Sequence, residues 1–366
     1  MGVKYAVEAP PESDRFAPAP HPRDTFGFFG HRKAEAELLD AYRVGRLPQA
    51  WIFGGPQGIG KATLAWRMAR FLAAHPDPAA PAVQNAQTLD VDPDHPAARK
   101  ISALSFGDLA LLRREWQEKN KKHATRIGVD EVRRAIHIFE QAAGEGGWRM
   151  ALIDSADDFN ASSANALLKL IEEPPPRCLF LIVAHQPGRI LPTIASRCRR
   201  LMMQGLAPHD LAAAARAALE AAEEKVVEAD LLRACARADG SVREALRLLS
   251  RADADFDALV EGSLAPLPRV DWRLIHRLAD RVTGRERETE YDAFLQAMFG
   301  WLAAALRRHE GQGPRVLAPY ATAWESLERE ARDLEIFNLD KRAFVLIVFS
   351  HLAEAENAAR AALKPS

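Results

Sequence analysis

The stretch FGGPQGIGKATLAW, residues 53–66, decides the fold. It follows the short apolar run AWIF (50–53) and opens KATLAWRMARFLAAH (61–75), whose apolar residues recur at helical spacing. A strand, a glycine-rich loop and a helix are therefore predicted. Gly55, Gly58 and Gly60 let backbone N–H groups turn toward phosphate oxygens, and the helix N-terminus adds a dipole that favours negative charge. Lys61 is placed to reach the outer phosphates. One position departs from the phosphate-loop pattern. After Gly60-Lys61 the pattern asks for Ser or Thr, whose hydroxyl binds Mg²⁺, and this chain has Ala62. Thr63 brings the hydroxyl one residue late, about 100° further around the helix. It does not replace the missing ligand without a shifted loop, although an inner phosphate is within its scope.

Working outward, WRMALID (148–154) is a second compact apolar run and RCLFLIVAH (177–185) a third. Helical text alternates with them: IGVDEVRRAIHIFEQAAGEG before the second, and SSANALLKLIEE between the second and third. The latter is stopped by Pro174-Pro175-Pro176, since proline disfavours helix in the residue before it. Strands apolar on both faces and separated by helices indicate an α/β domain with a parallel sheet covered on two sides. Asp154, ending its strand, supplies the second anchor of a nucleotide site. In ATPases of this broad class a Glu usually follows it to polarise the attacking water; here Ser155 and Ala156 follow. Asp157 and Asp158 read as solvated loop or helix-cap acids. Two parts of a hydrolytic apparatus are thus absent independently.

Elsewhere the text is less specific. A Pro- and Ala-rich section from His75 to about Pro96 has no period and predicts a long surface connection. RREWQEKNKKHATR (113–126) is rich in basic residues, with Trp116 and His123. The interleaved Glu115 and Glu118 favour a solvated helix and loop over a phosphate contact. Beyond Met203 the sequence is helical almost to its end, split by GSLAPLPRVDW (262–272). The expected organisation is a flexible leader (1–25), the α/β domain (26–204), a small helical domain (205–262) and a C-terminal helical domain (270–366).

Composition narrows the function classes. Lys plus Arg number 49 and Asp plus Glu 50, so the chain as a whole is not an evident polyanion binder. Cys178, Cys198 and Cys235 follow no paired spacing, which argues against a disulfide framework or zinc knuckle and fits a reducing, cytosolic setting. The N-terminus lacks the continuous apolar core of a secretory signal. The most apolar run, FVLIVF (344–349), is too short to cross a bilayer as a helix, so no membrane partner is expected.

In order along the chain, RLPQAWIFGGPQGIGKATLA, ALIDSADDFNASSANALLKLIEEPPP, LFLIVAHQPGRILPTIASRCRRLMM and GSVREALRLL resemble the bacterial clamp-loader AAA+ family, most of all its delta-prime branch. The resemblance runs from about Phe26 to Ser250, and NALLKLIEEPPP with the later SRC is its most specific part. It implies an AAA+ phosphate-loop domain, a helical lid and a C-terminal collar domain that joins like domains of other subunits. It also implies that Arg197, in SRC, is an arginine finger acting in trans, and that Arg243 is a sensor on the lid. The end of the third strand, Ala184-His185, matches the other sensor. By the same resemblance the loop would hold ATP or ADP with Mg²⁺, weakly or structurally. The partners would be the gamma/tau and delta subunits, the sliding clamp and primed DNA, and the chain would have no independent catalysis. Many relatives carry a four-cysteine zinc module between loop and second anchor; this chain has no cysteine between Lys61 and Asp154, so zinc and other metal ligands are not expected. The alternative is a gamma/tau-type motor or another self-sufficient AAA+ ATPase, against which Ala62 and Ser155 weigh.

Overall fold

A computed structural model describes residues 10–140, 147–283, 288–337 and 339–363. The chain divides into two compact units, with the boundary between Leu249 and Ser250. In the first, helix α1 (Arg32–Arg43) precedes strand β1 (Ala50–Gly54), and the loop after β1 opens helix α2 (Lys61–Ala74). Short helices α3 (Pro81–Gln84) and α4 (Pro96–Ser102) lead to β2 (Leu109–Leu112) and a two-stranded hairpin, β3 (Trp116–Gln117) and β4 (Lys122–His123). Helix α5 (Val129–Glu140), strand β5 (Arg149–Asp154), helix α6 (Ala161–Glu172), strand β6 (Cys178–Ala184), helix α7 (Pro192–Ala195) and strand β7 (Arg199–Met202) follow.

The sheet has the order β2-β5-β6-β1-β7, and every pairing in it is parallel. Strand β6 shows why. Its seven residues are all buried, and the pleat sends them alternately to two apolar layers. Leu179, Leu181 and Val183 join Leu38, Trp66 and Phe71 of α1 and α2. Cys178, Phe180 and Ile182 join Val132 and Phe139 of α5 and Leu167 and Ile171 of α6. A strand apolar on both faces needs helices on both, which parallel crossovers provide. The expected α/β class is what the structure has. Helix α6 begins with a capping box: Asn160 Oδ1 accepts from Ser163 N at 2.8 Å, and Ser163 Oγ accepts from Asn160 N at 3.1 Å. Helices α8 (Pro208–Ala221), α9 (Glu228–Arg237) and α10 (Val242–Leu249) form a small bundle around Leu211, Leu219, Leu231 and Leu246.

The second unit comprises α11 (Arg251–Leu264), α12 (Trp272–Val282), α13 (Glu288–Arg308), α14 (Pro314–Phe337) and α15 (Lys341–Ala362). Its core is built on Phe294, Met298, Tyr320, Leu327, Val348, Phe349 and Leu352. Tyr320 donates its hydroxyl to Glu356 at 2.7 Å, and Arg360 pairs with that same carboxylate at 2.8 Å. Helix α11 falls in this unit and not with α8–α10, because Phe256 and Val260 sit in the same core. Among the described residues, no helix is long and apolar enough to cross a membrane.

Residues 75–96 do run over the surface, most of them exposed or half-buried, but they are pinned there: Val83 and Leu89 are buried, Leu89 N donates to Glu35, and Asp90 pairs with Arg67 at 2.7 Å. Two expectations need correction. Residues 113–126 contain the β3–β4 hairpin in place of a helix. Trp116 and His123 are cross-strand partners with ring centroids 5.0 Å apart, a pair that outweighs the helical propensity of Glu, Gln and Lys. Of the leader, residues 1–9 lie outside the described residues, but Glu12 to Thr25 are held by ion pairs and hydrogen bonds to the α/β layer. Arg23 donates to Ser102 O at 3.1 Å, and Arg70 donates to the carbonyls of Arg23 and Thr25 at 2.6 and 2.8 Å.

Candidate functional site: the phosphate-type loop and its lid

The loop lies at the carboxyl end of β1, whose following helix α2 packs in one apolar layer, while its neighbour β6 leads to α7, whose Ile194 and Ala195 lie in the other. Such a reversal is the switch point at which open parallel sheets bind ligands. Backbone geometry there requires glycine. Gly55, Gly58 and Gly60 have φ of 145°, 79° and 100°. A Cβ on Gly55 would collide with the Met203 carbonyl, and one on Gly58 would lie 2.5 Å from Arg243 Cβ. The second of these contacts brings in the α8–α10 bundle. Val242 N donates to Gly58 O at 2.9 Å, and Ser241 Oγ donates to Gln57 O at 2.8 Å. The turn before α10 is thus hydrogen-bonded directly to the loop, and it carries Arg243 there with it.

Lys61 is buried and turned onto its own loop. Its ammonium donates to Gly55 O at 2.7 Å and to Pro56 O. Burial lowers its pKa to about 8, opposed by the carboxylates of Asp154 and Asp157. Ala62 has no hydroxyl, and Thr63 stands half-buried in the first turn of α2. Asp154 ends β5 in a buried position. Burial raises its carboxyl to about 8; the Asp14 carboxylate adds to the rise and Lys61 opposes it.

The acids that follow are already engaged. Both carboxylate oxygens of Asp157 accept backbone N–H bonds, Oδ2 from His185 at 2.6 Å and Oδ1 from Gln186 at 2.8 Å. Asp158 lies 3.3 Å from Arg114, and its carbonyl accepts from Ile127 N at 2.8 Å. Asp157 therefore braces the end of β6. The His185 imidazole is held neutral, its pKa pushed down to about 4 by burial and then by the positive charge of Lys61. Sequence reasoning reached His185 by position but had no signal for a bond spanning 28 residues.

The structure gathers Gly55, Gly58, Gly60, Lys61, Asp154, His185 and Arg243 around the loop, and places Arg197 elsewhere. Arg197 follows α7, with 42% of its side chain exposed; its guanidinium pairs with Glu172 at 2.8 Å and donates to Thr193 O at 3.0 Å. None of these partners belongs to the loop. Cys198 beside it is half-buried, and burial pushes its thiol up to about 11, far from a nucleophile's range.

Whether a magnesium–nucleotide complex fits these residues divides in two. The glycine backbone and helix start suit phosphate. The metal side does not fit: position 62 has no hydroxyl, Asp154 favours its neutral acid form, and Lys61 is spent on two carbonyls. No hydrolytic step is derived through that cleft.

The raised Asp154 pKa has a stability consequence. The unfolded carboxyl ionises near its ordinary value of 3.8, whereas the folded one holds its proton to about 8. The folded state then binds more protons across that window, and stability falls as pH rises through it. Asp154→Asn, permanently neutral, is expected to gain roughly 1–3 kcal/mol at pH 8 and nothing near pH 4. Urea unfolding at the two pH values checks this; an equal change at both would rule out the buried charge as its cause.

Comparison with known proteins gives one family match. The model described as "DNA polymerase III, delta subunit" matches residues 30–207. Over these residues the chain is similar to the bacterial clamp-loader AAA+ family. The delta-prime subunit of DNA polymerase III from Pseudomonas aeruginosa is 36% identical over 149 residues, 41% of this chain and 41% of that one. The tau subunit from Bacillus subtilis is 26% identical over 226 residues, 61% of this chain and 36% of that one. The chain thus matches less than half the length of either curated relative. A gamma subunit-related protein from Thermotoga maritima superposes over 87% of this chain and 99% of its own at 14% identity, with a TM-score of 0.41. So loose a superposition carries no argument about site or partner.

Proposed function

We propose that this chain is a delta-prime-type subunit of a bacterial clamp loader, working with gamma/tau and delta subunits to open the sliding clamp and place it on primed DNA. In this reading it hydrolyses little or no ATP itself and lends Arg197 to a neighbouring subunit's nucleotide. The observation that carries the reading is that the two acids directly following β5, Asp157 and Asp158, are already committed, while the Arg197 guanidinium is exposed. Asp157 is bonded to two backbone N–H groups, Asp158 pairs with Arg114, and Ser155 stands where a water-polarising Glu would be. Among the described residues Arg197 is held by an exposed ion pair and hydrogen bonds to Thr193 O and Ser196, and exposed ion pairs are weak. The lid role of α8–α10 and the collar role of α12–α15 belong to the same proposal.

One observation favours the motor reading: the tau match extends over 61% of this chain and the delta-prime match over 41%. Longer coverage at 26% identity reflects shared architecture, whereas the cleft chemistry is local and points the other way. Recovery of the tagged chain from cells together with the motor and delta subunits is the expected result. Recovery without either would remove the assembly reading.

A further inference from the structure

Residues 12–25 lie along both the α/β layer and the lid of the first unit, and nothing in the loop motif calls for them. Arg113, which directly follows β2, ties the segment to the sheet. Its guanidinium lies 2.6 Å from Asp14 and 2.9 Å from Glu12. The Asp14 side chain is fully enclosed, and His21 Nε2 approaches its other oxygen to 3.0 Å, an ion-pair distance without hydrogen-bond alignment. His21 packs edge-on against Trp66 of α2, with centroids 5.9 Å apart. On the lid side, Phe16 and Ala19 pack against the core of α8–α10. The Arg243 guanidinium carbon sits 4.8 Å from the centre of the Phe16 ring, over its face.

The same two residues before Arg243 hold the loop itself, through Gln57 O and Gly58 O. Loop, lid and leader therefore meet at Arg243, and Lys61, which would otherwise seek phosphate, is satisfied by loop carbonyls. The negative charge of Asp14 also acts on Asp154, at the end of β5. In a loop built to take a nucleotide, the bound phosphates and base normally link lid to loop; here protein groups make that link.

We propose that residues 12–25 are an intramolecular plug of the nucleotide cleft, in which Phe16, stacked on Arg243 and anchored in the lid, holds the lid against the loop in place of a nucleotide. This rests on the reading of the cleft as nucleotide-type. It makes the unit a closed, nucleotide-independent body, and it makes nucleotide entry compete with undocking of the leader. Apparent affinity is then reduced by the fraction of molecules whose leader is undocked.

The test uses the full chain with ATP and ADP as probes, by fluorescence titration of labelled nucleotide and competition with the unlabelled form. Phe16→Ala is expected to bind at least about tenfold more tightly than wild type. Asp14→Asn, which keeps the side chain's size and loses its charge, is expected to shift the same way by a smaller factor. In the wild type at saturating ATP, amide exchange of residues 12–20 should accelerate. The proposal is overturned if neither variant binds more tightly, or if wild type saturates while those amides keep their protection. The Arg197 proposal would survive that outcome, because loader turnover with Arg197→Ala does not depend on residues 12–25.

Discussion

Arg197→Ala is expected to lower ATP turnover by the assembled clamp loader about a thousandfold or more at the site it faces, while leaving this chain's own fold intact. An arginine supplied in trans stabilises charge on the transferring phosphoryl group, and such groups are worth about 10³–10⁵ in rate. The side chain is available for that role because its present restraints are slight. The pair with Glu172 is 2.8 Å long but more than a third exposed on both sides, and exposed pairs of this kind contribute about 0–1 kcal/mol. Loss of the side chain should therefore change stability by no more than about 0.5 kcal/mol. Steady-state turnover of the reconstituted complex with primed DNA and clamp is the readout, with thermal unfolding of the isolated chain as control. Turnover equal to wild type would contradict the assignment. A fall in turnover accompanied by unfolding would trace the loss to the fold.

Arg67→Ala is expected to destabilise the first unit by about 3–5 kcal/mol, the range for removing one partner of a buried ion pair. Arg67 is buried on α2 directly behind the phosphate-type loop. Its guanidinium pairs with Glu35 of α1 at 2.8 Å and Asp90 at 2.7 Å, and donates to Phe26 O at 2.6 Å. Removing it leaves Glu35 buried with no cation and takes from Asp90 its ion pair to α2. Denaturant unfolding should show the loss; a change under about 1 kcal/mol would mean that water or a rearranged side chain neutralises Glu35. Arg67→Met tests the same point more finely, since a well-packed apolar replacement still strands the carboxylate.

How much of this was legible in the sequence follows from where each signal is stored. Strands β1, β5 and β6 are continuous apolar runs, so their place in a doubly covered sheet could be read directly. Strand β2 is only four residues, LALL, too short to show a period, although Gly107-Asp108 before it is a turn signal. Strand β7, at the edge of the sheet, buries only Leu201 between exposed Arg200 and Met202, and looks polar in isolation. Gly55, Gly58, Gly60, Lys61 and Asp154 were visible because the loop chemistry is local. Arg243 and Arg197 came only through the family resemblance. The commitment of Asp157 to His185 and Gln186, and of Phe16 to Arg243, could not be read at all: the partners are 28, 29 and 227 residues apart, and short polar or proline-rich segments carry no periodicity that would pair them. The hairpin at 116–123 was hidden for the opposite reason, since its Glu, Gln and Lys residues favour helix locally while a cross-strand aromatic pair decides otherwise.

The direct test of the central claim, that this cleft is not an engine, is Mg²⁺-dependent ATP turnover by the purified full-length chain beside its Lys61→Ala variant. No turnover that distinguishes the two is the predicted result, because Ala62 offers no hydroxyl to Mg²⁺, Ser155 stands in place of a water-polarising Glu, and Asp157 is committed to backbone N–H groups. Steady Mg²⁺-dependent hydrolysis by the wild type, lost in Lys61→Ala, would contradict it.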